Sequence, residues 1–180
     1  SNMGMRVDYG AVNTGTTGSP TAQNNNIINI TGSGDLGVIA SGSGSTTNRA
    51  TGINGANGQI TVTGVGSAGL FAVNGGRITN NSTGTGKISV AGTGSLGMVI
   101  VDNTSTGTNT GVINVTGNNS AGVYNVGTFN MTSGTVTANM PGSVGIYAKQ
   151  GSTTSISGGT VTVSNGSTAL SAENSTIALA

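Results

Sequence analysis

The sequence predicts an all-β fold, a single-stranded parallel β-helix (β-solenoid) with coils of about 23–32 residues. Three observations carry that expectation. One fifteen-residue phrase recurs six times, the last copy one residue shorter. Inside each copy the apolar residues alternate with the period of a half-buried strand. The composition is one of short strands and many turns: 34 glycines in 180 residues, 5% charged and 33% hydrophobic residues, with no Cys, Trp or His. Charge in ordinary soluble domains runs near ~25% and apolar content near ~45–50%. Disorder is not implied, because disordered chains are rich in charge and poor in β-branched residues, whereas here Val, Ile and Thr recur at fixed places.

The copies read NIINITGSGDLGVIA (26–40), GQITVTGVGSAGLFA (58–72), GKISVAGTGSLGMVI (86–100), GVINVTGNNSAGVYN (111–125), GTVTANMPGSVGIYA (134–148) and GTVTVSNGSTALSA (159–172). A glycine turn falls at Gly37, Gly69, Gly97, Gly122 and Gly145, with Ala169 in the last copy, so the spacings are 32, 28, 25, 23 and 24. A period near two dozen residues, with slack in the loops, is the signature of a solenoid. Helical solenoids are excluded by the two-residue apolar spacing and the glycine content.

The first strand of each copy supplies one column, Ile28, Ile60, Ile88, Ile113, Val136 and Val161. A second column follows two residues on, Ile30, Val62, Val90, Val115, Ala138 and Val163. Period-two spacing sends both columns to one face, and the polar residues between them face water. The second strand supplies Val38, Leu70, Met98, Val123, Ile146 and Leu170, then Ala40, Ala72, Ile100, Asn125, Ala148 and Ala172. A looser third segment shows as Ile53, Ile78, Phe129, Ile156 and Ile177, without a fixed register. The turn glycines and asparagines suit bends that need residues tolerant of positive φ. Stacking at ~4.8 Å per rung buries a continuous core that no coil buries alone.

Residues 1–25 are less regular. Ser1-Asn2-Met3 reads as a cloning remnant, Met5 to Tyr9 alternates like a strand, Ala11-Val12 suggests another, and Thr14 to Gln23 reads as a polar loop carrying Pro20. Together they form an irregular leading coil or frayed end, and residues 26–180 form the repeats of a fragment of a longer solenoid. No signal peptide is visible, no apolar run is long enough for a membrane helix, and the absence of Cys excludes a disulfide scaffold. The N-x-Ser/Thr triplets, such as Asn80-Asn81-Ser82 and Asn174-Ser175-Thr176, follow from a composition rich in Asn, Ser and Thr.

The phrases GVINVTGNNSAGVYN, GQITVTGVGSAGLFA and SVGIYA resemble coils in the passenger domains of large Gram-negative autotransporter adhesins, fusobacterial ones especially. The resemblance covers residues 26–180 and carries no catalytic motif. It implies a right-handed parallel β-helix displayed at the cell surface. The parent protein would be tethered to the outer membrane by a C-terminal barrel. The implied role is a stiff rod that presents binding surfaces to a host-cell or partner-bacterium surface protein or glycan. Self-association of passengers is a further implied contact.

Chemistry is poorly represented. Three stretches match G-x-G-x-x-G, at Gly32–Gly37, Gly64–Gly69 and Gly92–Gly97. A dinucleotide site needs a following helix and a later acidic residue, whereas here a strand follows each time, so the glycines read as a solenoid corner. The carboxylates are Asp8, Asp35, Asp102 and Glu173, too few and too scattered for acid–base, calcium-repeat or metal chemistry. No catalytic residue, cofactor site or metal site is therefore expected. A polysaccharide-cleaving β-helix enzyme with its active site outside this stretch is the alternative, and a trimeric phage tail fibre a third reading. Five cations, Arg6, Arg49, Arg77, Lys87 and Lys149, give a net charge of +1 and no basic patch, so no nucleic-acid partner is expected. A Thr-x-Thr ice-binding ladder is not sustained beyond Thr61 and Thr63.

The candidate binding feature is the outward position of the second strand, Ile39, Phe71, Val99, Tyr124 and Tyr147, ending in Ser171. A contiguous exposed apolar stripe marks an interaction surface.

Overall fold

The computed structural model describes residues 2–9, 19–44, 46–47 and 49–180. Twenty strands, β1 to β20 in chain order, and no helix occur among them. The first sheet holds β1 (Met3–Asp8), β4 (Leu36–Ser41), β7 (Ala68–Val73), β10 (Leu96–Ile100), β13 (Ala121–Asn125), β16 (Val144–Lys149) and β19 (Thr168–Glu173). The second holds β2 (Thr21–Asn24), β5 (Thr51–Asn54), β8 (Arg77–Asn80), β11 (Thr106–Asn109), β14 (Thr128–Met131), β17 (Thr153–Ile156) and β20 (Thr176–Leu179). The third holds β3 (Ile27–Ile30), β6 (Gln59–Val62), β9 (Lys87–Val90), β12 (Val112–Val115), β15 (Thr135–Ala138) and β18 (Thr160–Val163). Every strand pairs in parallel with the strand three places along the chain, so each coil visits the three sheets in turn and climbs one rung. This is a parallel β-helix.

The register follows the repeat residue for residue. Ile28, Ile60, Ile88, Ile113, Val136 and Val161 are successive partners in the third sheet. Val38, Leu70, Met98, Val123, Ile146 and Leu170 are partners in the first. From Ile60 to Ile146 these positions are closed to solvent. Stacking also begins before the repeat is recognisable. Met5 and Val7 of β1 pair with Val38 and Ala40, and Ala22 and Asn24 of β2 pair with Gly52 and Asn54. The expected polar loop over Thr14 to Gln23 thus gives way to strand at Thr21; the strand expected at Ala11-Val12 lies outside the described residues.

The third segment resolves differently from its apolar residues. Ala22, Gly52, Ile78, Gly107, Phe129, Thr154 and Ile177 form its first inward column. Ile53 pairs with Thr79, one position along, and faces outward. Ile156 belongs to the second inward column, which runs Asn24, Asn54, Asn80, Asn109, Met131, Ile156 and Leu179. Four buried asparagines therefore stand where the other two sheets place hydrocarbon.

Those four amides form a ladder. Nδ2 of Asn24 donates to Oδ1 of Asn54 at 2.9 Å, Asn54 to Asn80 at 3.0 Å, and Asn80 to Asn109 at 2.8 Å. The remaining Nδ2–H groups reach the carbonyls of Gln59, Gly58, Val112 and Gly111 at the corner leading into the third sheet. A buried amide without partners costs roughly 2–7 kcal/mol. The rung spacing lets each asparagine satisfy the next, so the cost is met along the stack.

The corner between the third and first sheets is built on a hydroxyl ladder. The Oγ atoms of Ser67, Ser95, Ser120 and Ser143 accept from the N–H of Asp35, Ser67, Ser95 and Ser120 at 3.0–3.4 Å. They donate in turn to the carbonyls of Gly32, Gly64, Gly92 and Gly117 at 2.7–2.8 Å. The glycines around this ladder have separate reasons. Gly34, Gly66 and Gly94 have φ of 68°, 62° and 65°, and Asn119 holds the same place at 53°; this is the left-handed position of the turn. Gly37, Gly69, Gly97, Gly122 and Gly145 need no positive φ. A Cβ there would lie 2.5–2.7 Å from the carbonyl oxygen of the equivalent residue one rung on. Ala169 stands at that position in β19, the last strand of that sheet among the described residues, so no following carbonyl is present there.

Two stability predictions follow from the ladders. Asn80→Ala leaves Asn109 Oδ1 and Asn54 Nδ2 short of a partner inside the core and should cost about 2–4 kcal/mol. A thermal midpoint equal to the parent's would overturn the ladder's energetic role. Gly97→Ala forces a methyl against the Gly122 carbonyl and Ile113 and should cost about 1–3 kcal/mol, whereas Ala169→Gly should change stability by less than about 1 kcal/mol. Equal midpoints for these two variants would refute close stacking as the reason for the glycine.

Candidate functional site

The outward positions of the first sheet fall in one column. Arg6, Ile39, Phe71, Val99, Tyr124, Tyr147 and Ser171 are successive partners from β1 to β19. The column is not a contiguous exposed stripe, however. Ile39 is 5% exposed and Val99 3%, while Phe71, Tyr124 and Tyr147 are half-buried. The reason is steric. Neighbours in a column lie only ~4.8 Å apart, and an aromatic ring spans more than that, so a branched residue between larger ones is roofed by them. Ile39 lies between Arg6 and Phe71, Val99 between Phe71 and Tyr124. The accessible part of the stripe is thus Phe71 and the two tyrosines.

The tyrosine end is held in place. The rings of Tyr124 and Tyr147 meet edge to face, with centroids 5.7 Å apart and planes at 86°, a favoured aromatic geometry. The Tyr147 hydroxyl donates to Oε2 of Glu173, Lys149 Nζ approaches the same oxygen at 3.3 Å, and the ammonium sits 5.8 Å from the Tyr147 ring centroid. Lys149 and Glu173 are register partners on the two last strands of the sheet. The hydrogen bond to Glu173 raises the Tyr147 pKa above the usual phenol value, and that of Lys149 also rises through the Glu173 contact. Glu173 falls below the usual carboxylate value because Tyr147 and Lys149 hydrogen-bond to it.

The other three carboxylates have structural partners. Asp8 pairs with Arg6 at 2.7 Å on the surface. Asp35 occupies the first position of the serine ladder, where its side chain accepts from the Asn2 backbone. Asp102 closes the corner between β10 and β11. Its Oδ1 accepts from the N–H and hydroxyl of Thr104 and the N–H of Ser105, and its Oδ2 from Asn74 N–H at 2.7 Å and Ser105 Oγ at 2.9 Å. Partial burial pushes the Asp102 carboxyl up, but the hydrogen bonds from Thr104, Ser105 and Asn74 outweigh it and hold the group below the ordinary carboxylate range. No group of three or more His, Cys, Asp or Glu side chains able to hold a metal occurs among the described residues.

Two cations that are separate in sequence come together in space. Arg49, just before β5, and Arg77, the first residue of β8, line an open groove across the outer face of the second sheet. The rest of its wall is largely Thr51, Thr79, Thr106 and Thr108. Sequence reading missed this because Arg49 lies outside every copy of the repeat. No sequence signal marks it, because the register that aligns Thr51, Arg77 and Thr106 is set by the fold.

Comparison of the chain with protein-family models, with curated proteins and with solved structures finds no match.

The Asp102 corner generates a pH prediction. A depressed carboxyl contributes stability that is present above its unfolded value, near ~4, and lost as pH falls through its lower folded value. The parent protein's thermal midpoint should therefore drop on acidification below ~4. Asp102→Asn should lower the midpoint at neutral pH by the equivalent of about 1 kcal/mol and flatten that acid limb. An acid limb of unchanged slope in the variant would show that Asp102 does not contribute.

Proposed function

We propose that the chain is a structural and adhesive segment of a bacterial surface autotransporter passenger, a stiff rod that presents binding surfaces away from the outer membrane. The observation that carries the reading is the aromatic column. Phe71, Tyr124 and Tyr147 project outward from one sheet of a rod whose core is already filled by the inward positions. Aromatic side chains with little rotamer freedom are the residues that dominate protein interfaces. The Tyr147–Glu173–Lys149 contacts reduce the ordering that binding would require. The partner is a host-cell or partner-bacterium surface protein or glycan, or a neighbouring passenger. Asp35, Asp102 and Glu173 are held by hydrogen bonds and Asp8 by Arg6 through Oδ2, an arrangement that favours adhesion over polysaccharide cleavage, which works through paired free acids.

The test is the triple replacement Phe71→Ser, Tyr124→Ser and Tyr147→Ser. The inward columns are untouched, so the circular dichroism of the β-helix should persist while adhesion of protein-coated beads to target cells falls by more than about tenfold. A folded triple variant that adheres like the parent would sink the proposal.

A further inference from the structure

We propose that the groove across β5, β8 and β11 of the second sheet binds an anionic saccharide, an oligosaccharide carrying a carboxylate or a sulfate. The inference is independent of the aromatic column, which lies on the first sheet.

The groove is open to solvent along its outer side and offers about 340 Å³, room for one or two sugar rings rather than for a lone ion. Its charge comes from Arg49 and Arg77, and neither has a carboxylate within ion-pair distance among the described residues. Asp102 is the acid whose field favours the Arg49 charge, but its oxygens are occupied by Thr104, Ser105 and Asn74. Arg49 is only 6% exposed. Its Nε donates to the Thr46 carbonyl at 2.7 Å and its Nη1 to Thr106 Oγ1 at 3.0 Å, so the guanidinium is fixed at the groove wall. Burial and the neighbouring Arg77 charge both lower its pKa. A desolvated cation beside a second cation is unfavourable for folding, and a bound anion relieves both penalties. The Arg77 side chain is exposed and makes no hydrogen bond or ion pair among the described residues, so its planar fork is available for bidentate binding of an oxyanion.

The rest of the wall selects the class of anion. Thr51 and Thr106 flank Arg77 in one outward column, Thr79 and Thr108 are partners in the next, all four are half-buried, and Asn130 follows Thr108 as an amide at the end of the groove. Hydroxyls and an amide both donate and accept, which suits the ring hydroxyls of a sugar. No aromatic ring lines this groove, so stacking of a nucleobase has no platform here.

The experiment is titration of the whole chain with 3′-sialyllactose and with 3′-sulfated lactose, followed by calorimetry. Neutral lactose and sodium sulfate are the reference probes. The proposal expects saturable binding of at least one anionic sugar, with lactose and inorganic sulfate each weaker by roughly tenfold or more. Arg77→Gln, at an exposed side chain, should weaken that binding by roughly tenfold with an unchanged circular dichroism spectrum. Lys87→Gln, an exposed cation on the third sheet, should bind like the parent. The carboxylate and sulfate arms tell which oxyanion the arginines accept. No binding of either anionic sugar, binding indifferent to Arg77→Gln, or inorganic sulfate binding as tightly as the sugars would each overturn it.

Discussion

Each strand of this rod lies one rung from its own equivalent, and that like-on-like stacking at ~4.8 Å governs the rest of the structure. A side chain tolerated once must be tolerated beside its copy. Apolar residues satisfy this by packing, asparagine by donating Nδ2 to the next Oδ1, serine by accepting an N–H from the rung before, and glycine by leaving room for the next carbonyl. A repeated charge satisfies none of these conditions, because like charges directly opposite in a sheet repel. The 5% charge content is therefore what the architecture permits. The charges present obey the same rule: Lys149 stacks on Glu173, and Arg77 stands among threonines.

That constraint also sets how much of the fold could be read from the sequence. The first and third sheets were legible to the residue, since Ile60, Ile88 and Ile113 or Leu70, Met98 and Val123 are apolar at one fixed offset from a turn of constant length. The second sheet was not. Its first inward column mixes Gly52, Ile78, Gly107, Phe129 and Thr154, and its second is asparagine for four rungs. Asn looks like a loop residue by composition, and the connections on either side of these strands vary in length, so alignment on hydrophobicity picked Ile53, which faces outward. The physical signal was present in Asn24, Asn54, Asn80 and Asn109, each closing a strand, but it is visible only once burial is known.

The candidate site was legible as a direction and not as a surface. Alternation places Ile39, Phe71, Val99, Tyr124 and Tyr147 on the outer face, and the register confirms that placement. Alternation says nothing about which neighbours shade which, and so could not separate Val99, roofed between Phe71 and Tyr124, from the aromatic rings beside it. Nor could it place Arg49 near Arg77, because that proximity arises from the path of a non-repeating segment. Repeats predict what recurs; a site built on a departure from the repeat has no period to betray it.

The buried amides make the same point from inside the rod. After Asn109 the ladder stops, and Met131 and Ile156 continue its column as hydrocarbon. In the same coil as Met131 an amide closes β13 of the first sheet, where Asn125 interrupts a column otherwise held by Val7, alanines and Ile100. Asn125 Oδ1 accepts the Gly127 N–H at 2.9 Å, and its Nδ2 donates to the Thr153 carbonyl and Thr154 Oγ1, each at 3.0 Å. The corner between β13 and β14 spans only two residues, too few to satisfy its own backbone groups, and the amide supplies what the short turn lacks. Where the corner between β10 and β11 is five residues long, Ile100 fills the Asn125 position instead and Gly107 opposite leaves space for it, the two in contact at a distance where a Cβ would clash. Between these two coils corner length, amide placement and side-chain volume change together, and the column stays filled in both.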